Sequence, residues 1–198
     1  NIGIKHSKGQ YITFQDADDY SIRNRLELQL NSLKNSNNLV CYGKYISKQA
    51  KLQFCEITLF MRKDCVDYIG YFDSVRFGAD TEYRRRLEIL KIPIIVIDKY
   101  IYTRLDRLIE GNNIGNLNSL TNSKRTGMDS KLRLIYRKSF ECYHSIIRTR
   151  NGMNKKAYYM PFPLDKRPFN ILVADSFELG NIAVELDSLD KYIYKVKL

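Results

Sequence analysis

The apolar positions of this chain change period repeatedly, and those changes divide it into short elements. Tyr11-Ile-Thr-Phe-Gln is a run of β-branched and aromatic residues that predicts a strand over residues 11–15. Before it, residues 1–8 read as the end of a helix, with Gly9 as its C-terminal cap. After it, Ile22, Leu26, Leu30 and Leu33 recur at helical spacing. They predict a helix over 21–33 with Arg23, Arg25 and Glu27 on its outer face. Residues 39–46 and 51–61 predict two strands joined by a polar turn. Residues 62–69 predict a short helix closed by Gly70, and a further helix carries Arg84-Arg85-Arg86-Leu87. Residues 92–97 form a strand that Pro93 restricts to a strand start or a sheet edge, with 100–102 as a separate short strand.

Beyond that point the pattern loosens. Residues 110–122 are rich in Gly, Asn and Ser and read as a loop. Residues 128–150 predict an amphipathic helix, with Leu132, Ile135, Tyr136, Phe140, Tyr143, Ile146 and Ile147 on one face and mostly Lys and Arg elsewhere. Pro161, Pro163 and Pro168 mark an extended connector. Strands are expected at 170–174 and 191–196, as the opening of another module. The expected division is therefore 1–125, 126–169 and 170–198. Asn1 already lies in a helical pattern, so the reading expects part of the first domain upstream of it.

Strands alternating with helices place the chain in the α/β class. Its 198 residues allow one ordinary core plus an appendage. No apolar run approaches the length of a membrane span, and no signal-peptide pattern opens the chain. Four cysteines with no C-x-x-C pair argue against a zinc site and predict buried thiols in a reducing, cytoplasmic compartment. The net charge of +11 is uneven, because residues 111–170 alone carry +9. That field attracts phosphates, whether on a nucleotide, an anionic membrane or a nucleic acid. A basic nucleic-acid-binding module or metal-dependent nuclease is thus an alternative. The aromatics of the 128–150 helix nevertheless fall on its apolar face, where they pack rather than stack on bases.

The candidate chemistry begins where the first strand stops, at Asp16-Ala-Asp18-Asp19. Alternation puts Asp16 and Asp18 on one side, with Asp19 turning into the next segment. Carboxylates this close repel unless a cation or several backbone N–H groups neutralise them. Oxygen donors with no His or thiol beside them suit Mg²⁺ or Mn²⁺. A plain turn, with Asp18, Asp19 or Ser21 capping the next helix, fits the same residues.

The flanks separate these readings. Gly3, Ser7-Lys8-Gly9-Gln10-Tyr11-Ile12, the strand and the Asp-Ala-Asp-Asp run together resemble family 2 glycosyltransferases of the GT-A fold. The resemblance implies a partial GT-A domain, a Rossmann-like mixed sheet flanked by helices, with a basic helical C-terminal extension. It implies a nucleoside-diphosphate-sugar donor, of which a UDP-sugar is the expected form, and a saccharide acceptor, with no specific nucleic acid as a partner. Asp16, Asp18 and Asp19 would hold the Mn²⁺ or Mg²⁺ bridging the donor diphosphate. The family's base usually comes from an acidic pair opening a helix after a Gly-rich approach. Gly70-Tyr-Phe-Asp73, then Arg76-Phe-Gly78-Ala79-Asp80-Thr-Glu82 and Arg86-Leu87, match that stretch, with Ala79 where Glu often stands.

Asp80 is therefore the candidate base and Glu82 the alternative, with Arg86 as a supporting residue. Acids in a first helical turn are also explained by the helix dipole alone. Arg104, followed by Ser119-Leu120-Thr121, resembles the stretch that closes over the donor, beside Asp16 and Asp18. Without any Trp the chain has no Gln-x-x-Arg-Trp signature, which implies transfer of single sugars, as in surface or capsular polysaccharide synthesis. His6 and His144 have no partner at ligand spacing and read as structural or solvated, and the basic helix allows peripheral contact with an anionic membrane.

Overall fold

A computed structural model describes residues 1–17, 19–46, 51–73, 75, 78–103 and 131–151. The elements in order are α1 (Ile2–His6), β1 (Tyr11–Thr13), β2 (Tyr20–Ser21), α2 (Arg25–Lys34), β3 (Val40–Ile46) and β4 (Leu52–Arg62). They continue with α3 (Cys65–Ile69), α4 (Ala79–Ile89), β5 (Ile94–Thr103) and α5 (Lys131–Asn151). The strands form one mixed sheet in the order β1-β4-β3-β5-β2. Neighbouring strands are antiparallel except β3 and β5, which run parallel.

Period-two alternation sorts the core onto the two faces of this sheet. Val40 and Tyr42 of β3, with Leu59 and Met61 of β4, face a cluster shared with Ile4, Cys65, Ile69, Tyr83 and Leu87 of the helices α1, α3 and α4. Cys41 and Phe60, the residues between, face the opposite side and meet Leu33 of α2. At Gly43 a side chain has no room, since a Cβ there would lie 2.1 Å from Cδ1 of Ile101. The β3 registers with β4 and with β5 both shift around this residue. Gly43 N–H is taken by the Thr58 hydroxyl at 2.8 Å.

Several expectations need correction. The predicted helix over 21–33 starts at Arg25, because Tyr20 and Ser21 pair with Thr103 and Tyr102 as a short edge strand. Its buried side is Arg25, Gln29 and Leu33, while Leu26 is 56% exposed. The predicted apolar stripe is therefore rotated, since Arg25 finds enough acceptors inside to be buried. The two short strands expected after Pro93 are one strand, accommodated by the register shifts near Gly43. The first helix is capped at Ser7 rather than Gly9, with the Ser7 N–H reaching Gly3 O at 2.9 Å. Cys41, Cys55 and Cys65 are buried free thiols, but Cys142 is exposed on α5. Burial pushes the Cys41 thiol up to about 11 and the Cys65 thiol up to about 12. The expected loop at 110–122, the connector and everything assigned to 152–198 lie outside the described residues.

Helix α5 follows the amphipathic prediction. Tyr136, Phe140 and His144 are buried at successive helical turns, and Arg137 and Lys138 are exposed. Tyr136 and Phe140 pack against Val75. These two rings are thus spent on the core, which removes them from any base-stacking surface. Among the described residues, no helix is long and apolar enough to cross a membrane.

Candidate active site

Because β4 is antiparallel to both β1 and β3, and β5 is parallel to β3, the strands β1, β3 and β5 all point the same way. In register, Thr13 at the end of β1 is level with Cys41 of β3 and Ile95 of β5, so β1 stops well before the other two, and the chain leaves it at a strand's carboxyl end, where α/β proteins bind ligands. The acidic run leaves β1 there. Although β1 and β2 are consecutive in the chain, they occupy opposite edges of the sheet. Between Thr13 and Tyr20 the chain therefore passes from one sheet edge to the other, arriving where Tyr20 pairs with Thr103 at the end of β5.

Asp16 is exposed and Asp19 partly so, whereas Asp18 lies outside the described residues. The loop is closed by the Asp19 N–H donating to Asp16 O at 3.3 Å. Gln15 Nε2 donates to both Asp16 O and Asp19 O, each at 3.0 Å. Tyr102, buried at the end of β5, accepts the Asp16 N–H on its hydroxyl at 3.3 Å. Burial raises the Tyr102 phenol pKa, and the charges of Asp16 and Asp19 add to that rise.

Beneath the loop lies Arg25, 3% exposed. Its Nη1 donates to Gln15 Oε1 (3.0 Å) and Ser21 Oγ (2.9 Å). Its Nη2 donates to Thr13 Oγ1 (3.0 Å) and Phe14 O (2.9 Å), and its Nε to Gln29 Oε1 (3.0 Å). The guanidinium also sits over the Tyr102 ring, 5.4 Å from its centroid. Sequence reasoning missed Gln15, Arg25 and Tyr102. Charge and helical spacing put Arg25 outside, and nothing in a lone Gln or Tyr announces such partners. The one available signal was Arg25 and Gln29 four apart on a helix, which allows the bond they make.

The second acidic group opens α4, after Gly78 in the left-handed conformation (φ 77°). Asp80 is exposed, and its Oδ1 accepts the Thr81 N–H at 2.8 Å. Its charge acts on Arg133 of α5, whose guanidinium pKa is lowered by burial and raised again in part by Asp80. Two aromatic contacts link this turn to the acidic loop. The Phe14 ring meets Phe72 edge-on at 5.4 Å, and Phe72 stacks on Tyr83 at 4.3 Å. Phe14 directly precedes Gln15, and Tyr83 lies one turn after Asp80.

Glu82, the alternative base, is 0% exposed, and this corrects the expectation for it. Its Oε1 accepts from Arg86 Nε at 3.0 Å and lies 3.1 Å from His144 Nε2, while Oε2 pairs with Arg86 Nη2. Burial alone would raise this carboxyl, but Arg86 and the His144 hydrogen bond outweigh it and hold it at about 2. A carboxylate sealed from solvent with both oxygens occupied has no route to an acceptor hydroxyl. Arg86 is likewise 0% exposed rather than a solvated position. Its Nη1 donates to Ile69 O (2.8 Å) and Tyr71 O (2.9 Å), so it ties α4 to the end of α3. His144 is structural, as expected, and Asp73 also serves α5 by accepting the Tyr136 hydroxyl at 2.8 Å. Arg104 and residues 119–121 lie outside the described residues.

For a divalent cation the donor chemistry fits, since Asp16 and Asp19 supply hard carboxylate oxygens from one loop closed by the Asp19 N–H. Among the described residues no group of three His, Cys, Asp or Glu is gathered as a metal site.

Comparisons with known proteins agree with this architecture. The profile of glycosyl transferase family 2 matches residues 1–143. An uncharacterized glycosyltransferase of Haemophilus influenzae is 29% identical over 104 residues, covering 52% of this chain and 41% of that protein. An uncharacterized glycosyltransferase of Rickettsia bellii is 44% identical over 45 residues, 23% of this chain and 6% of that protein. The chain thus spans less than half the length of either relative. With a mixed sheet flanked by helices in the manner of a GT-A domain, and a family match over most of its length, the chain belongs to glycosyl transferase family 2.

Proposed function

We propose that the chain carries the metal and acceptor side of a non-processive, inverting sugar transferase, using a nucleoside-diphosphate sugar such as a UDP-sugar. The observation that carries the reading is the placement of the acidic run. It leaves the end of β1 and arrives at the end of β5, and Phe14, Phe72 and Tyr83 join it to the turn that holds the exposed Asp80. A Mn²⁺ or Mg²⁺ ion, when bound, offsets the charge of the departing diphosphate.

The chain's own residues do the rest. Asp16, Asp18 and Asp19 would hold the ion, and Arg104 would bind the phosphates of the donor. Asp80 takes the proton of the acceptor hydroxyl as its oxygen bonds to the anomeric carbon. The bond from that carbon to the phosphate oxygen breaks on the opposite side, which inverts the configuration. Glu82 and Arg86 hold the turn that presents Asp80, and Arg133 lends it a neighbouring positive charge. Surface or capsular polysaccharide synthesis is the setting that suits single-sugar transfer onto a saccharide. The exposed Arg137 and Lys138 of α5 suit peripheral contact with anionic lipid.

Two substitutions separate the roles. Asp18→Asn should abolish Mn²⁺-dependent binding of the nucleotide, followed by calorimetry. Asp80→Asn should leave that binding intact and lower transfer by about 10²–10⁴-fold. Normal turnover by Asp80→Asn would remove Asp80 from the mechanism.

A further inference from the structure

Under the acidic loop lies a polar support built from Arg25, Gln15 and Tyr102. Its bonds form a chain: Arg25 donates both to the end of β1 and to Gln15, and Gln15 donates to the loop. Arg25 is fixed first, by Thr13 Oγ1 and Phe14 O at the end of β1 and by Gln29 Oε1 within α2. Gln29 is itself tied to β4, donating to Thr58 O at 2.6 Å. Thr13 Oγ1 likewise donates to Leu59 O at 2.8 Å. The guanidinium therefore inherits the rigidity of the sheet.

Gln15 takes its orientation from that anchor. A guanidinium has only donors, so the amide edge facing Arg25 Nη1 must be Oε1, which also accepts the Ser21 hydroxyl at 2.6 Å. The Nε2 edge is then turned to the loop, where it holds the carbonyls of Asp16 and Asp19 together. On the other side Tyr102 takes the Asp16 N–H. Gln15 grips the backbone carbonyls of the loop rather than its carboxylates. This matters because three acids in four positions repel one another and, without such ties, would spread apart.

We propose that Gln15 and Tyr102, anchored by Arg25 and Ser21, are positioning residues that hold the Asp16–Asp19 turn in its cation-receiving shape before the ion arrives. The proposal rests on the reading that this turn binds a divalent ion. It assigns the loop's order to the protein and not to the metal. Supports of this kind, once removed, weaken metal sites without unfolding the protein.

The test titrates Mn²⁺ into the 198-residue chain, reading free Mn²⁺ by electron paramagnetic resonance, with the melting temperature measured in parallel. Gln15→Met keeps side-chain length and removes both amide edges, at an exposed position. Tyr102→Phe removes the hydroxyl alone. Each should bind Mn²⁺ about tenfold more weakly than wild type, with Gln15→Met still unfolding in one cooperative transition well above the binding temperature. Wild-type Mn²⁺ affinity in both variants would overturn the proposal while leaving the metal reading in place. If instead wild type and Asp16→Asn bind Mn²⁺ equally, the metal reading fails and takes this proposal with it.

Discussion

Asp80 and Glu82 stand two positions apart on one helix and meet opposite surroundings. Two residues turn a helix by roughly 200°, so one carboxylate points to solvent and the other into the core. The sequence shows an acidic pair but not which member is buried, because burial of Glu82 depends on Arg86 below it and on His144, which lies sixty-two residues further along the chain. Glu82→Ala should cost about 3–5 kcal/mol in chemical denaturation, since Arg86 would be left charged and buried without its partner. The depressed carboxyl also sets a pH dependence. Its folded value of about 2 lies below the ordinary 4.5, so the pair stabilises the fold fully above about pH 4.5. That contribution is lost as pH falls from 4.5 toward 2. Denaturation of wild type across this range should show the loss, and Glu82→Gln should flatten it.

Among the elements, legibility tracked how much of an element's environment is local. β3 and β4 were readable to within a residue or so, because each carries a dense run of apolar residues bounded by turns. Helix α5 was readable from its stripe, and Tyr136 and Phe140 fall where the spacing put them. Helix α2 was only partly readable: Leu30 and Leu33 pack where the spacing put them, but Leu26 is exposed and Arg25 is buried. Its stripe of leucines is genuine, but Arg25 is drawn inward by acceptors on β1, residue 15 and Ser21, none of which helical periodicity can see. The β2 pairing was missed for a similar reason, since two residues recruited to an edge carry no pattern of their own. Helix α5 is latched through polar contacts as well as apolar ones. Tyr136→Phe removes the hydroxyl donor from the buried Asp73 and should destabilise the protein by about 1–3 kcal/mol. Thermal unfolding measures this, and an unchanged melting point would mean that Asp73 finds another donor.

At the scale of the molecule, the class, the mixed sheet and the family were open to the sequence, through the Gly-rich approach to β1 and the Asp-Ala-Asp-Asp run. The crossing from one sheet edge to the other between Thr13 and Tyr20 was not, although it is what brings Asp16 to Tyr102 of β5. Everything proposed for this chain requires that crossing to be a cation site facing the Asp80 turn. Crystals of the chain soaked with Mn²⁺ and UDP, and measured for anomalous scattering, would decide it. The expected result is a manganese peak with carboxylate oxygens of Asp16 or its neighbours at about 2.1 Å, and the diphosphate lying between that ion and Asp80. A nucleotide and ion bound elsewhere on the chain, with Asp16 and Asp19 untouched, would refute it.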